Sequence, residues 1–438
     1  MSGDMPAAAP REKGANAPDG DAKPWTKIHG RIVDISRFQH THPGGNIIQM
    51  FKGIDSTTAF EQFHGHHPGA LKMLNALPTK EVPAAEVPPQ SEAHVAEMTR
   101  LMTDWRQRGL FEPRPIAGMA YGLAIVTMLV AMVVCSPTAP VLAGIGLGAT
   151  WAHCGFLQHM GGHREWGAKY SFALQNFFEG LCKGGSASWW RNRHNKHHAK
   201  TNVIGEDGDL RTTPFFAWDP ELAKKVPDWS LRTQAFTFLP ALGAYVFIFA
   251  YSVRKYAIVK KLWLEVALMV AHYAIFGLGL RAAGASLSQA VVFYSTAYSF
   301  QGIYLGFFFG LSHFAADRVP ATATWLESTM MGTVNWAGGS AFAGYVSGFL
   351  NTQIEHHMAP QMPMENLRQI RADCKASAEK LGLPYRELSF TGAVRLMVVG
   401  LWNTGQTELA LRSDRRKYTK TQAYMRVVSA VVDTLKAD

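Results

Sequence analysis

A long stretch of this 438-residue chain carries no charged side chain. Residues 115–163 contain no Asp, Glu, Lys or Arg, and residues 282–316 contain none either. A helix needs about 20 apolar residues to cross a bilayer, so the first stretch can cross twice, with Ser136 and Pro137 at the turn. The sequence therefore predicts an integral membrane protein.

Seven histidines fall into three clusters. Two lie four residues apart in QHMGGH, three lie in RHNKHH, and two follow Gln353 in QIEHH. Imidazoles three or four residues apart on a helix project from one face, so each cluster can direct its nitrogens to one point. A nitrogen-rich set without cysteine suits non-haem iron better than structural zinc, although scattered surface histidines are the alternative. The clustered residues are His159, His163, His194, His197, His198, His356 and His357.

Three more apolar segments lie between the second and third clusters. They span residues 233–253, 263–280 and about 287–311. If all three crossed, the third cluster would emerge on the opposite membrane face and could not share a metal with the others. We therefore expect two crossings here and four in all. The first segment, broken by Pro240, is predicted to be interfacial or re-entrant. The alternative is that one of the later segments does not cross and is instead a buried helix of a large cytosolic cap.

Another group of histidines lies near the start of the chain. His42 precedes Pro43-Gly44-Gly45, which can turn the chain sharply, and His64 follows the helix-like TTAFEQF. Two imidazoles on opposite faces of a haem give six-coordinate iron suited to electron transfer. Spacing alone leaves open a small apolar core with surface histidines. Three other histidines lie near enough to compete as ligands: His40, His66 and His67.

Composition divides the chain into four parts. Residues 1–23 are polar and predicted to be disordered, 24–80 form the first folded unit, 81–95 form a Pro-, Ala- and Glu-rich linker, and 96–438 form the membrane unit. The four cysteines show no paired spacing and are expected to be reduced. The formal charge of +10 comes from basic runs beside apolar segments. It therefore favours anionic lipid headgroups, and not nucleic acid, as the partner.

The second cluster has further polar and aromatic neighbours. Glu206, Asp207 and Asp209 follow it closely and can orient ligating imidazoles, although a solvated acidic loop is equally compatible with the sequence. Trp189 and Trp190 precede it and are expected to line a substrate tunnel, anchor the cap at the membrane interface, or simply pack.

The order of these features resembles the front-end fatty-acyl desaturases with a fused cytochrome b5 domain. The likeness covers roughly residues 24–396 and is carried by HPGG, SWWRNRHNKHHAKTN and NTQIEHHMAPQMPMENL, with Gln353 opening the third box. It implies a multi-domain fold: a small α+β haem domain, then an all-α integral membrane desaturase with about four transmembrane helices and a cytosolic di-iron cap.

The resemblance also implies the cofactors and their ligands. Two non-haem irons would be held by the seven clustered histidines, with His313 of GLSHF as an eighth ligand. Haem b would be held by His42 and His64. Gln353 and Asn335 are expected beside the irons, Asn335 through an intervening water or side chain.

The implied reaction is the insertion of a cis double bond between an existing double bond and the carboxyl end of a polyunsaturated acyl chain, with delta-5 or delta-6 favoured. The substrate would be an acyl-CoA or a phospholipid ester. Electrons would come from NADH through cytochrome b5 reductase. The expected location is the endoplasmic reticulum, with the haem domain and histidine boxes facing the cytosol.

Other functions fit parts of the pattern. A sphingoid long-chain-base desaturase or a lipid hydroxylase would share the histidine clusters. A membrane haem electron carrier without di-iron activity would be expected to lack a box histidine, and none is missing.

Overall fold

The computed structural model describes residues 24–64, 68–83, 87 and 92–435. Two compact units are distinguished: residues 1–57 with 68–89, and residues 58–67 with 90–438. The predicted disordered segment 1–23, the competing ligands His66 and His67, and much of the predicted linker lie outside the described residues.

A β-hairpin organises the first unit. Strands β1 (Trp25–Ile28) and β2 (Arg31–Asp34) pair antiparallel. His29 and Gly30 join them with φ of 49° and 75°, the two left-handed residues of a type I′ turn. The buried side chains of this unit include Val33 and Ile35, and α2 (Pro68–Ala76) follows later in the chain. The predicted small α+β unit is thus observed.

Long apolar helices form the membrane part of the second unit. They are α4 (Pro115–Cys135), α5 (Pro140–Gly162), α9 (Asp228–Val259), α10 (Trp263–Ala282) and α11 (Leu287–His313). Large apolar side chains such as Met119 and Leu123 are exposed on α4, as expected of a surface that faces lipid. Among the described residues, four helices are long and apolar enough to cross a membrane: α4, α5, α9 and α10.

This set differs from the predicted crossings in one helix. Pro240 does not break α9, which is a continuous helix of 32 residues, because proline in a helix removes one hydrogen bond without having to end the helix. The prediction of a broken segment was therefore wrong.

The choice of the fourth crossing helix lies between α9 and α11. By length and hydropathy α9 is a candidate membrane span and α11 is not. Yet α11 packs parallel to α5: Gly144 faces Phe293, and Gly148 faces Ala297 one turn on. This packing favours α11 as a crossing helix.

Shorter helices, which lie between and after these spans in the sequence, form the cap. They are α6 (Gly167–Asn176), α7 (Ala187–Ala199), α8 (Pro220–Ala223), α12 (Trp325–Met331), α13 (Ala341–Ser347), α14 (Gln353–Met358) and α15 (Arg371–Leu381). A π-helical segment, Phe177–Cys182, connects α6 towards α7. Two short parallel strands, β3 (Asn335–Trp336) and β4 (Glu387–Leu388), pair within the cap.

Two helices flank this arrangement in sequence. The first is α3 (Glu92–Gln107), which precedes the first span. Its Glu97 binds Ser377 and Lys380 of α15, and its Trp105 donates to Asp373 at 2.9 Å. The last helix, α16 (Phe390–Leu435), is 46 residues long and packs along α9, where Leu401 O accepts from Gln234. The remaining short helix, α1 (Thr57–His64), ends at the second predicted haem ligand.

Candidate metal centre

The first histidine pair lies where α5 ends. His159 is in the last turn of the helix, and His163 is the C-cap residue, whose backbone N–H donates to His159 O at 3.0 Å. Both side chains are buried. Gly161 and Gly162 allow the neighbouring chain to approach, since a Cβ at Gly162 would lie 2.5 Å from the Trp190 ring.

The second cluster lies on α7, a helix with an anchored N-terminus. Ser186 caps the helix by accepting from Trp189 N at 3.1 Å. Glu265 of α10 accepts from Ser188 N at 3.1 Å, a carboxylate placed at the positive end of the helix dipole. The spacing of three and four residues then brings the three buried imidazoles to the inner side of the cap: His194, His197 and His198.

The third cluster lies on α14, a helix of six residues. His356 and His357 are buried in its last turn, and Gln353 is its first residue. His313, which the family resemblance added to the set, is buried in the last turn of α11. The eight histidines thus lie on, or at the end of, four helices that are distant in sequence: α5, α7, α11 and α14.

The eight predicted ligands form two adjoining groups. In the first group, each imidazole contributes one nitrogen atom, and these nitrogen atoms all lie within 4.8 Å of one another. Its members are His159, His163, His194, His198 and His356. The second group holds His197, His313 and His357. The His198 and His357 rings stack with centroids 4.0 Å apart, which joins the two groups.

Nitrogen spacing in the larger group fits a bound metal. The Nε2 atom of His194 lies 2.9 Å from that of His159 and 3.0 Å from that of His198. His356 Nε2 lies 3.1 Å from His198 Nε2. A neutral imidazole nitrogen carries either one proton or one lone pair, so His194 Nε2 can make one ordinary hydrogen bond here, not two. Two imidazole nitrogens about 2.1 Å from one metal, at a right angle, lie about 3.0 Å apart.

Unpaired nitrogen atoms give a second reason to expect metal. Among the described residues, no hydrogen-bond partner is present for the buried Nε2 atoms of His163, His197 and His357. Buried polar atoms in native proteins are normally satisfied. Burial, with the neighbouring imidazoles adding to it, lowers the pKa of His194, His198 and His356 well below the usual range. Neutral rings keep the lone pairs that a metal needs.

Hydrogen bonds fix the rings of the smaller group. Asp207 Oδ2 accepts from His197 Nδ1 at 2.7 Å, and both side chains are fully buried. Thr201 donates to His197 O, so its hydroxyl accepts from His357 Nδ1 at 3.0 Å. Although burial by itself lowers the pKa of His197, the Asp207 carboxylate holds that pKa above its ordinary value.

The three acidic residues after the second cluster divide into different roles. Asp207 orients His197, as described above. Asp209 forms an ion pair with Arg193, and Glu206 lies on the exposed surface 3.7 Å from Lys200. No spacing in the sequence separated Asp207 from its neighbours, because its role depends on the loop that follows α7.

The two other predicted site residues lie close to the histidines in different ways. Gln353 Nε2 lies 3.1 Å from His313 Nε2. Asn335 donates to Glu355 at 2.8 Å and to Tyr385 at 3.0 Å, and accepts from Ile354 N. It therefore supports the backbone and the acidic neighbour of His356, and its role beside iron stays a prediction.

An apolar cavity of about 290 Å³ adjoins the histidines. It reaches His159, His194 and Gln353 and continues between α9 and α11, past Val246, Leu305 and Gly306. Trp190 lines it and stacks on His194 with ring centroids 4.3 Å apart. Trp189, which packs edge-on against Phe249, lines it too. Both predicted tryptophans thus face the cavity.

The predicted haem ligands have separate surroundings. His42 is partly buried, its Nδ1 lies 3.3 Å from Gly45 O, and its ring meets Phe38 edge-on. Burial lowers the pKa of His42, and the hydrogen bond to the Gly45 carbonyl raises it by a smaller amount. His64 ends α1 beside Phe60, with ring centroids 5.5 Å apart. The competitor His40 is exposed.

Comparison with known proteins assigns both parts of the chain. Residues 136–389 match the fatty acid desaturase family model, and residues 12–81 match the cytochrome b5-like heme/steroid binding domain. An acyl-lipid (8-3)-desaturase of Rebecca salina is 32% identical over 82% of this chain and 86% of its own. An acyl-lipid (8-3)-desaturase of a Thraustochytrium species is 30% identical over 91% and 96%. A Delta(5) fatty acid desaturase of Caenorhabditis elegans is 27% identical over 82% and 91%.

These matches confirm the resemblance to front-end desaturases with a fused cytochrome b5 domain. They also confirm the predicted cofactors, haem b for the first domain and two non-haem irons for the second, for which the histidine groups offer suitable donors. The protein is an integral membrane oxidoreductase. This chain belongs to the fatty acid desaturase family.

Proposed function

We propose that this enzyme inserts a cis double bond between an existing double bond and the carboxyl end of a polyunsaturated acyl chain. The supporting observation is the position of the histidine groups. His159 and His194 form part of the wall of an apolar cavity that continues between the membrane helices. A long acyl chain is the kind of ligand that such a cavity accepts.

We assign the two irons to the eight buried histidines. When bound there, the irons supply the activation of dioxygen that breaking an unactivated C–H bond requires. The protein's part is to hold the nitrogens, to place one pair of methylene groups beside them, and to exclude water. One dioxygen, two electrons and two protons, with the two hydrogens taken from the chain, yield the double bond and two waters.

We assign to His42 and His64 the role of holding haem b, which would supply one-electron transfer. NADH is the proposed electron donor, through a separate cytochrome b5 reductase and then the fused haem domain. Fusing the electron-carrying domain to the catalytic domain raises its effective concentration, to roughly millimolar for a short flexible linker. The proposed location is the endoplasmic reticulum, with the cap and the haem domain in the cytosol.

The position of the new double bond is proposed as delta-5 or delta-6. The name of the Caenorhabditis elegans relative supports delta-5. The names of the Rebecca salina and Thraustochytrium relatives support an acyl group esterified to a lipid as the substrate.

Expression in yeast tests this proposal. Cells carrying the wild-type chain, or a His194→Ala variant as the matched control, are fed C18 to C22 polyunsaturated acids, and double bonds are located by mass spectrometry. A new cis bond on the carboxyl side of an existing one, absent with the variant, is the expected result. Altered sphingoid bases or hydroxylated lipids, with the fed acids unchanged, would replace the proposal with one of its two alternatives.

A further inference from the structure

An ion pair lies in the wall of the cavity. Lys183 Nζ is 2.7 Å from Glu179 Oε2, and the two side chains are 14% and 5% exposed. Glu179 belongs to the π-helical segment, and both residues line the cavity. Removing two charges from water is costly, and an ionisable pair among membrane helices commonly marks a functional position.

The ammonium group lies close to the metal centre. A Cβ added to Gly155 would lie 3.8 Å from Lys183 Nζ and 3.7 Å from Leu305. Gly155 precedes His159 by four residues on α5, which is roughly 6 Å along the helix axis. A chain that passes His159 and continues into the membrane helices therefore passes the Lys183 ammonium about one helical turn later.

The two ends of the cavity indicate which part of the chain this is. At one end Arg193 pairs with Asp209 beside a loop that exposes Glu206 and Arg211. The other end lies between α9 and α11, where Arg254 and Tyr298 line the cavity. Burying the polar head group would be costly, so it belongs at the loop end. The segment beside Lys183 is then on the methyl side of the reacting carbons.

Lys183 has hydrogen-bonding capacity to spare. An ammonium offers three donors, and within the described part of the chain Glu179 is its one hydrogen-bond acceptor. The two other cations of the cavity are held differently. Arg193 pairs with Asp209 and donates to Gly208 O. Arg254 donates to Ala250 O, Tyr273 and Tyr298. Lys183 is therefore the cation available to a chain in the cavity.

On the methyl side, an acyl chain has one feature that a cation can distinguish. A saturated chain presents only C–H groups, whereas an existing cis double bond presents π electrons, and cations are attracted to π electrons, most strongly where water is excluded. We propose that Lys183, oriented by Glu179, determines substrate specificity by contacting the double bond already present on the methyl side of the reacting carbons. This inference rests on the proposed front-end desaturation.

A competition assay with the full chain tests the inference. Yeast expressing each form is fed equal amounts of two C20 acids that differ only in the cis double bond nearest the carboxyl group, and the ratio of their desaturated products is measured. The main variant is Glu179→Gln with Lys183→Met, which removes the pair without leaving a buried charge alone. Lys183→Arg keeps the cation, and Lys169→Met removes an exposed cation from α6 as the control.

Wild type, Lys183→Arg and Lys169→Met are expected to prefer the acid with the additional double bond. In the double variant this preference should fall roughly 2- to 30-fold. An unchanged ratio in an active double variant would overturn the inference. Absence of product from the wild type would instead overturn the proposed function itself.

Gly155→Ala decides the case in which the double variant does not fold or makes no product. The added methyl would meet Lys183 Nζ at ordinary contact distance and would separate it from the chain while leaving the ion pair intact. Alanine also suits a helix better than glycine does. A reduced product ratio is expected, and a ratio equal to wild type would count against the role of Lys183.

Discussion

Replacing Asp207 with asparagine isolates the contribution of one buried carboxylate to the metal centre. The wild-type carboxylate accepts from three donors: His197 Nδ1 at 2.7 Å, Asn202 N at 3.0 Å and Asp209 N at 2.8 Å. Asparagine keeps the shape but offers one oxygen and one NH2 group. In either orientation of the amide, the NH2 group faces at least one N–H group from which the carboxylate accepted a hydrogen bond.

The expected loss is large. If the amide oxygen takes the place of Oδ2, His197 keeps a hydrogen bond, but to a neutral acceptor instead of a charged one, which makes its Nε2 a weaker metal donor. Loss of such an orienting partner lowers metal affinity or activity by about 10- to 100-fold. This corresponds to about 1.4 to 2.7 kcal/mol.

Iron content measured against haem content provides the assay. Full-length protein is purified, dialysed against a chelator and analysed for non-haem iron by mass spectrometry, with haem absorbance as the internal measure of folded protein. Glu206→Gln, on the same loop but at the exposed surface, is the control and should match wild type. Iron content and desaturation within twofold of wild type in Asp207→Asn would refute the role assigned to this carboxylate.

Three further outcomes are expected. His42→Ala should abolish haem absorbance and NADH-dependent desaturation while non-haem iron is retained, because only the first domain loses a ligand. Glu97→Gln should lower the free energy of unfolding at pH 7 by about 1–2 kcal/mol. This figure is reduced for solvent screening of the ion pair, because Arg100 is half exposed. Arg100 holds the pKa of Glu97 at about 2, so this deficit should shrink as pH falls from about 4.5 towards 2 and should not change above pH 5. Gly348→Ala should reduce folded protein in detergent, measured by gel filtration, because φ is +58° and the new Cβ would lie 2.2 Å from the Phe156 ring; a normal yield would contradict it.

Local spacing predicted much of the candidate site. The pair ending α5 and the three histidines of α7 are set by helix periodicity, so their convergence within each segment followed from the sequence. The contact between His194 and His356 required the fold, and the family resemblance supplied it in advance. His313 also came from the resemblance, since a single histidine has no spacing to interpret.

Apart from Asp207, which was one of three acidic candidates in the sequence, the partners of the histidines could not be predicted in the same way. Thr201 and the Gly332 carbonyl reach His357 and His313 only because separate loops meet in the cap. Pro240 misled the interpretation of α9, because a proline indicates a possible break and neighbouring helices decide whether one occurs. The Glu179–Lys183 pair did leave a signal: two opposite charges four residues apart in an apolar segment.

The two histidine groups are held differently, and this difference follows the position of the cavity. Each ring of the smaller group has its Nδ1 engaged, by Asp207, Thr201 or Gly332 O, which fixes the ring and turns Nε2 inward. In the larger group the buried Nδ1 atoms of His159 and His198 have no partner among the described residues. Two members of that larger group, His159 and His194, also line the cavity. The polar cap thus fixes one group of ligands, while the other is held mainly by packing and can adjust where an acyl chain must fit.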